Sequence, residues 1–360
     1  MLSFLNKMIP SMVFAGVFSG MLIWITWKMI HDTVVSQLGR FVLLLSFSFF
    51  FTELFISLNA RLAYVFVVVK TSIISVCFGM LTFVMVKHTS DFVHILWITL
   101  LCSVISLIIQ KSIDRARLGI NRALAFSCIL TVGFVGNFLL LELSLNEFNR
   151  DNQGLLVVGG FLHPLIRTAS LLAVLRLLRA YTSGDRDALP MITKLMYLLY
   201  GVPGKVLVYS IPSQDMAATA MVLAACTEMV ARAIYVAMLR VCERKINTGL
   251  RDFFREWSRE STVMFCNAQW ASYTGHFSAA VAAAVGFLNH PALIMPRFLT
   301  GMTIELCSDA VTYIVEWGLG GHAWRYKYLG VTQRHVVSIT FAAAAVGIFC
   351  AAVALAYPAV

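Results

Sequence analysis

Residues 335–357 read HVVSITFAAAAVGIFCAAVALAY and contain no aspartate, glutamate, lysine or arginine. The length of this stretch matches the roughly 20 apolar residues that an α-helix needs to cross a bilayer. The apolar run is continuous, whereas the strands of a membrane barrel alternate between apolar and polar residues over about ten positions. The stretch therefore predicts a transmembrane helix.

The composition of the whole chain extends this prediction. Of the 360 residues, 59% are hydrophobic and 13% are charged, and the mean hydropathy is +0.82. Soluble domains carry about 25% charged residues, so a chain this apolar is better matched to lipid than to water. We expect an all-α fold, a polytopic bundle of membrane helices, that forms a single integral membrane domain over residues 1–360.

Apolar runs bounded by charged residues give eleven candidate spans. The spans are 9–29, 41–60, 62–86, 92–110, 123–143, 155–178, 191–211, 216–240, 262–288, 298–318 and 335–357. The span 191–211 is the weakest, and the count is ten if it does not cross. Small residues are frequent in 262–288 and 335–357, which predicts that these two helices pack closely inside the bundle.

The distribution of lysine and arginine predicts the orientation. With a cytoplasmic N-terminus and eleven crossings, 18 of the 28 basic residues fall on the cytoplasmic side and six on the other. This asymmetry fits the positive-inside rule, and it places the C-terminus on the opposite side. The net charge of +10 then indicates a basic cytoplasmic face that meets anionic lipid, and not a nucleic-acid partner.

Residues 244–260, RKINTGLRDFFREWSRE, are too charged to span a membrane. Leu250, Phe253, Phe254 and Trp257 recur at the spacing of one helical face, and arginines lie on another face. This pattern predicts an amphipathic helix on the cytoplasmic surface. An ordinary solvated linker is the alternative.

Two carboxylates lie inside the span 298–318. A charged side chain at the centre of a bilayer costs at least about 2.5 kcal/mol, so it indicates a functional site by default. Glu305 and Asp309 are four residues apart and share one helical face. Because two carboxylates repel each other unless they share a proton or a cation, the pair is a candidate proton relay or cation site. The alternative is that each carboxylate pairs with a basic residue elsewhere in the bundle.

Other polar groups suggest a pathway beside these acids. Glu228 and Arg232 have the same spacing in the span 216–240, which predicts either a self-neutralised pair or a gate. His163 and Arg167 flank a point that glycines and a proline weaken in the span 155–178.

A similar interruption, Tyr200-Gly-Val-Pro-Gly-Lys205, lies in the span 191–211. Broken helices often form ion and substrate sites in transporters. Kinked helices without a function are also common in membranes.

Glu53 and Lys70 are the remaining charges deep in spans. The short loop around Arg61 makes the spans 41–60 and 62–86 antiparallel neighbours. Both side chains are a similar number of residues from that loop, so they lie at similar depth at about 1.5 Å per residue. We expect a structural ion pair.

Motifs for enzymes, metals and cofactors are incomplete or missing. The sequence has no HExxH, no GxxxxGK[ST] and no GxGxxG, and the fragments around Ser183-Gly-Asp185 and Gly275-His-Phe-Ser278 lack their partners. The eight cysteines include no CxxC pair and read as small buried hydrophobes. We therefore predict no metal and no cofactor, and these observations favour a function other than catalysis while leaving an enzyme as an alternative.

Three functions fit these observations. The first is a transporter or channel-like translocator, in which Glu305 and Asp309 couple a proton or cation to the passage of a small solute or ion. His163, Arg167 and the Glu228–Arg232 pair would line the pathway. The second is an intramembrane enzyme that acts on lipid or a lipid-linked substrate. The third is a scaffold subunit of a membrane complex.

Overall fold

The computed structural model describes most of the chain outside the region between residues 89 and 156. The described residues are 2–59, 64–88, 157–169, 188–211, 213–245, 248–286, 291–318 and 333–356, with a few single positions between 101 and 154. Apart from a few of these single positions, the candidate spans 92–110 and 123–143 therefore lie outside the described residues.

The described residues are helical and include no strand. The α-helices are α1 (Leu2–His31), α2 (Gln37–Asn59), α3 (Tyr64–His88), α4 (Ala188–Ser210), α5 (Gln214–Lys245), α6 (Thr248–Gly286), α7 (Ile294–Gly318) and α8 (Gln333–Ala356). The π segment, residues 157–169, is helical and contains a π-helical turn at Val158–Leu162. A short 3-10 turn, Pro291–Leu293, precedes α7.

Five helices in the described part of the chain are long and apolar enough to cross a membrane. They include the stretches Ile9–His31, Gln37–Phe55, Gln214–Met238, Ile294–Val315 and Val336–Leu355. Val69–Val84 in α3 is a shorter apolar stretch. The described residues therefore support a helical chain with several helices able to span a membrane. The predicted number of ten or eleven transmembrane helices is not confirmed.

The core forms around α8, which packs against α1, α2, α4 and α6. Ala342, Ala343, Ala344 and Ala345 are almost fully buried, and such small side chains let neighbouring helix backbones approach closely. The helix α6 also packs along α1 and α4.

The pair formed by α5 and α7 lies at the periphery. These two helices contact each other, and the apolar windows of α5 and α7 are only 17% and 11% buried. Large apolar side chains such as Val230, Ile234 and Ile314 are exposed on them, as expected of helices that face lipid.

The structure differs from the sequence-based expectation at two helices. The sequence analysis separates the amphipathic segment 244–260 from the span 262–288, whereas α6 runs without a break from Thr248 to Gly286 and includes most of both. No proline interrupts α6, and its 39 residues extend roughly 58 Å, well beyond the ~30 Å of a hydrocarbon core.

The second difference is in α4. The predicted interruption at Pro203 is not a break, since α4 is helical on both sides of that residue. The packing of α4 against α6 and α8 compensates for the local helix-breaking tendency.

Candidate functional site

A polar cavity of about 80 Å³ lies among the π segment, α4, α5, α6 and α7. Its charged lining consists of three basic and three acidic side chains. These are Arg167, Lys205, Arg232, Glu228, Glu305 and Asp309. His163 and His276 also line the cavity, so its formal charge is zero when both imidazoles are neutral. All six residues predicted for the pathway lie here, and Lys205 and His276 join them.

Glu305 contacts two nitrogen-bearing side chains of the cavity, Lys205 and His276. Its Oε2 accepts a hydrogen bond of 2.8 Å from Lys205 Nζ and contacts His276 Nε2. Lys205 also donates to the carbonyl oxygen of Ser272 at 3.1 Å and to its Oγ at 2.7 Å, so all three ammonium protons have acceptors. Glu305 thus pairs with a basic residue, as the alternative interpretation expected.

His276 connects Glu305 to a tyrosine of α4. A carboxylate can only accept, so Nε2 of His276 carries the proton that it donates to Glu305. In the neutral ring Nδ1 is then an acceptor, and Tyr209 donates to it at 2.5 Å. Gly301 lies against this contact, because a Cβ there would be 3.2 Å from both His276 Cε1 and the Tyr209 hydroxyl. The result is a chain of hydrogen bonds from Tyr209 through His276 to Glu305.

Asp309 has neutral partners. Its Oδ1 accepts a hydrogen bond of 2.6 Å from Gln269 Nε2, and its Oδ2 accepts one of 2.5 Å from Tyr273. Gln269 is itself held by a hydrogen bond from Tyr313 to its Oε1. The two acids of α7 share one face, as their spacing predicts, but they have different environments.

Glu228 pairs with Arg167 and not with Arg232, the residue four positions further along α5. Its Oε2 accepts from Arg167 Nη2, and its Oε1 accepts from Tyr197 at 2.5 Å. The guanidinium of Arg167 also lies 4.4 Å from the centre of the Tyr197 ring. Arg232 lies 5.7 Å from the ring centre of Tyr313 instead. The self-neutralised pair on one helix is therefore absent, because α4 and the π segment supply closer partners.

The Glu53–Lys70 pair lies away from the cavity, on α2 and α3. Lys70 Nζ is 3.4 Å from Glu53 Oε2, and both side chains are almost fully buried. The two residues lie at the same depth, as the short connection between their helices predicts.

Lys205 and His276 line the cavity but are not among the site residues predicted from the sequence. Lys205 belongs to the predicted interruption in the span 191–211, and the structure places it inside the continuous helix α4. His276 belongs to the fragment Gly275-His-Phe-Ser278, which is incomplete as a catalytic motif. The sequence feature that could have indicated both residues is a polar side chain inside a long apolar helix.

Comparison with protein-family models, with curated proteins and with solved structures finds no match to this chain. The residues of the cavity are therefore the basis for inferring a function. The described residues include no group of three or more histidine, cysteine, aspartate or glutamate side chains that could hold a metal ion.

Proposed function

We propose that this protein is a polytopic membrane translocator that moves a small solute or ion through the polar cavity. Glu305 and Asp309 are its proton or cation groups. The observation that carries this proposal is the cavity itself, in which six charged side chains meet between helices that are apolar outside. Ionisable groups are costly inside a membrane, and they mark substrate and ion pathways.

The contacts of Glu305 suggest how a cation or proton would be exchanged. Both hydrogen bonds of Glu305 use Oε2, which leaves Oε1 as an acceptor for a solute in the cavity. A proton or cation that binds this carboxylate competes with the ammonium of Lys205. Lys205 then keeps its two hydrogen bonds to Ser272. In this proposal Lys205 is the counter-ion of Glu305 whenever the transported charge is absent.

The proposal includes eleven crossings, with a cytoplasmic N-terminus and the C-terminus on the far side. The sequence-based assignment places 18 basic residues on the cytoplasmic side and six on the other. The basic first turns of α6 would project from the cytoplasmic face toward anionic lipid. A reporter enzyme that is active only outside the cytoplasm, fused after Val360, should be active. Activity of a cytoplasmic reporter at the same position would contradict this orientation.

Proteoliposomes test the role of the two acids. We expect proton or sodium entry under an imposed membrane potential, measured with dyes that report internal pH or Na⁺. Glu305→Gln and Asp309→Asn should abolish this flux, because each removes a carboxylate from the cavity. The matched control is Asp32→Asn. Asp32 lies outside the cavity, and its side chain is 63% exposed. Normal flux in both cavity variants would show that the assignment is wrong.

One contact favours the second function, an intramembrane enzyme. Ser272 Oγ and Lys205 Nζ are 2.7 Å apart, and serine–lysine pairs serve as nucleophile and base in some hydrolases. Here Lys205 donates all three of its protons, so it offers no lone pair to Ser272. Transport is therefore the better-supported function. An enzyme would lose all turnover of a lipid ester in Ser272→Ala, whereas a translocator with this variant would retain cation flux.

A further inference from the structure

Tyr209 lies where the ends of three helices meet. It is the next-to-last residue of α4, and its carbonyl oxygen accepts a hydrogen bond from Arg297 in the first turn of α7. Arg297 also donates, at 3.2 Å, to the side-chain oxygen of Gln214, the first residue of α5. These contacts hold the backbone of Tyr209 near the end of the bundle, while its hydroxyl reaches inward to His276.

The hydrogen bonds of His276 continue from this hydroxyl to the middle of α7. Tyr209 donates to Nδ1 at 2.5 Å, and Nε2 donates to Oε2 of Glu305. Glu305 follows Ile294, the first residue of α7, by eleven positions, which is about 16 Å along a helix. That length is half of a hydrocarbon core of roughly 30 Å. The chain of hydrogen bonds therefore connects a helix end to the depth at which a charge is most costly.

The surroundings of His276 hold its ring in place. The residue is 4% exposed, and the ring of Phe298 stands edge-on to the imidazole with 6.5 Å between the ring centres. On another side, Gly301 leaves just enough room for the ring, because a Cβ there would lie 3.2 Å from Cε1. Turning the imidazole over would break the hydrogen bonds at both nitrogens. A proton therefore crosses this position by binding to one ring nitrogen while another proton leaves the second.

The chain has two arrangements of its protons in which every hydrogen bond is present. When Glu305 is ionised, the Tyr209 hydroxyl donates to Nδ1 and Nε2 donates to the carboxylate. When Glu305 is protonated, its O–H donates to Nε2, and Nδ1 donates to the oxygen of Tyr209. A hydroxyl can donate or accept, and a neutral imidazole does one of these at each nitrogen. The two arrangements therefore interconvert without leaving a buried polar atom unpaired.

The contacts of Glu305 also distinguish a proton from a metal cation. Its two bonded groups, Lys205 Nζ and His276 Nε2, are nitrogen donors that point hydrogens at the carboxylate. Hard cations such as Na⁺ are held by several oxygen ligands, and a metal ion at Oε2 would meet these hydrogens instead. A proton needs one acceptor, and the chain through His276 already ends on it.

We propose that the cation of the translocator is a proton, and that His276 transfers it between Tyr209 and Glu305 by exchanging the protonated nitrogen of its ring. This inference rests on the proposed transport function. A hydronium ion in the cavity protonates the Tyr209 oxygen while the proton of that hydroxyl passes to Nδ1. The proton on Nε2 passes to Oε2 of Glu305. The hydronium ion leaves as water, the imidazole remains neutral, and the reverse steps release the proton.

Other ionisable groups of the cavity set the charge against which this exchange occurs. They are Lys205 and Tyr197 of α4, Glu228 and Arg232 of α5, Asp309 of α7, and His163 and Arg167 of the π segment. With neutral histidines and tyrosine these groups carry one net positive charge, which ionised Glu305 balances. Protonation of Glu305 exposes that charge, so the pH of the exchange depends on all of them.

Nitrogen NMR of the full-length protein in liposomes, labelled with ¹⁵N-histidine, tests the exchange without any transport. Between about pH 8 and about pH 4, we expect the proton of His276 to move from Nε2 to Nδ1 as the infrared band of protonated Glu305 appears. Spectra of His276→Gln and Glu305→Gln identify the nitrogen signals and the infrared band. In Glu305→Gln the ring should keep one tautomer throughout, because the amide cannot take up the proton. Asp309→Asn should retain the exchange.

Flux into proteoliposomes under an imposed membrane potential tests the transfer itself. Tyr209→Phe removes the hydroxyl, and His276→Gln keeps a nitrogen donor but cannot exchange protons, so each should slow proton entry at least about tenfold. The matched controls are Tyr200→Phe in α4 and His31→Gln at the end of α1, which lie outside the cavity and should admit protons like the wild type. A dye for internal Na⁺ should report no entry of that ion.

Five results would overturn the inference. They are an unchanged His276 tautomer across the titration, an imidazolium beside ionised Glu305, exchange that persists in Glu305→Gln or is lost in Asp309→Asn, wild-type proton entry in Tyr209→Phe or His276→Gln, and entry of Na⁺ that depends on Glu305. Sodium entry would leave the proposed translocator in place and remove only the proton chain. Tautomer exchange without flux of either ion would instead overturn the proposed function alone.

Discussion

Replacing Lys205 by methionine removes the ammonium that Glu305 and Ser272 share, and the resulting loss of stability can be estimated from the contacts. The ammonium makes hydrogen bonds of 2.8 Å to Glu305 and of 2.7 and 3.1 Å to Ser272. The side chains of Lys205 and Glu305 are only 13% and 19% exposed. Removing one partner of a buried ion pair costs about 3–5 kcal/mol. Glu305 keeps His276 as a donor, so we expect a loss of about 3 kcal/mol from the free energy of unfolding.

A double-mutant cycle separates the ion pair from the loss of packing. Glu305→Gln leaves Lys205 with both hydrogen bonds to Ser272, so this variant should lose about 2 kcal/mol. The double variant contains no unpaired charge, and its loss should be about 3 kcal/mol, not the sum of the two single effects. The coupling between the two side chains is then roughly 2 kcal/mol.

Reversible unfolding by SDS in mixed micelles measures these free energies, with the fluorescence of the seven tryptophans as the signal. Lys28→Met at the exposed end of α1 is the matched control and should change the stability by less than about 0.5 kcal/mol. Additive effects in the cycle, or a loss below about 1 kcal/mol for Lys205→Met, would show that the ion pair does not stabilise the fold as estimated.

Further predictions concern packing, the second ion pair and a tyrosine of the cavity. Gly204→Ala places a methyl group against the neighbouring imidazole and should cost about 1–3 kcal/mol of unfolding free energy, whereas Gly318→Ala, where a Cβ meets no described atom within 4 Å, should change little. Glu53→Gln should lose about 3–5 kcal/mol of unfolding free energy, because it leaves the buried ammonium of Lys70 without its carboxylate. The double variant Glu53→Leu with Lys70→Met should recover most of that stability, and its cation flux should be normal. Tyr197→Phe removes a hydrogen bond to a carboxylate and should cost about 1.5–3 kcal/mol by the same SDS assay, and a loss below 0.5 kcal/mol would show that this contact is unimportant.

Local spacing along one helix made several parts of the cavity predictable. Glu305 with Asp309 and His163 with Arg167 share helical faces because residues four apart always do, whatever surrounds the helix. Glu53 and Lys70 could be paired across two helices for a different reason. The short connection between α2 and α3 fixes their direction and therefore the depth of each side chain.

The partners from distant helices could not be predicted in this way. Lys205 and His276 approach Glu305 only because α4, α6 and α7 have particular rotations about their axes. An apolar helix in lipid has no strong preference for which face turns inward, so its periodicity does not report that rotation. The same limit applies to Glu228, whose spacing suggested Arg232 and whose actual partner is Arg167.

Length, hydropathy and charge act locally on each segment. They are therefore enough to predict an apolar, helical chain with ionisable side chains inside candidate spans. The stretch 335–357 is a clear case, since it forms the buried helix α8 as its composition requires. The continuous helix around Pro203 and the meeting of six charges from four elements in one neutral cavity become apparent only in the folded bundle. The reason is that helix packing and the balance of buried charge are properties of the assembled bundle, and no single segment contains them.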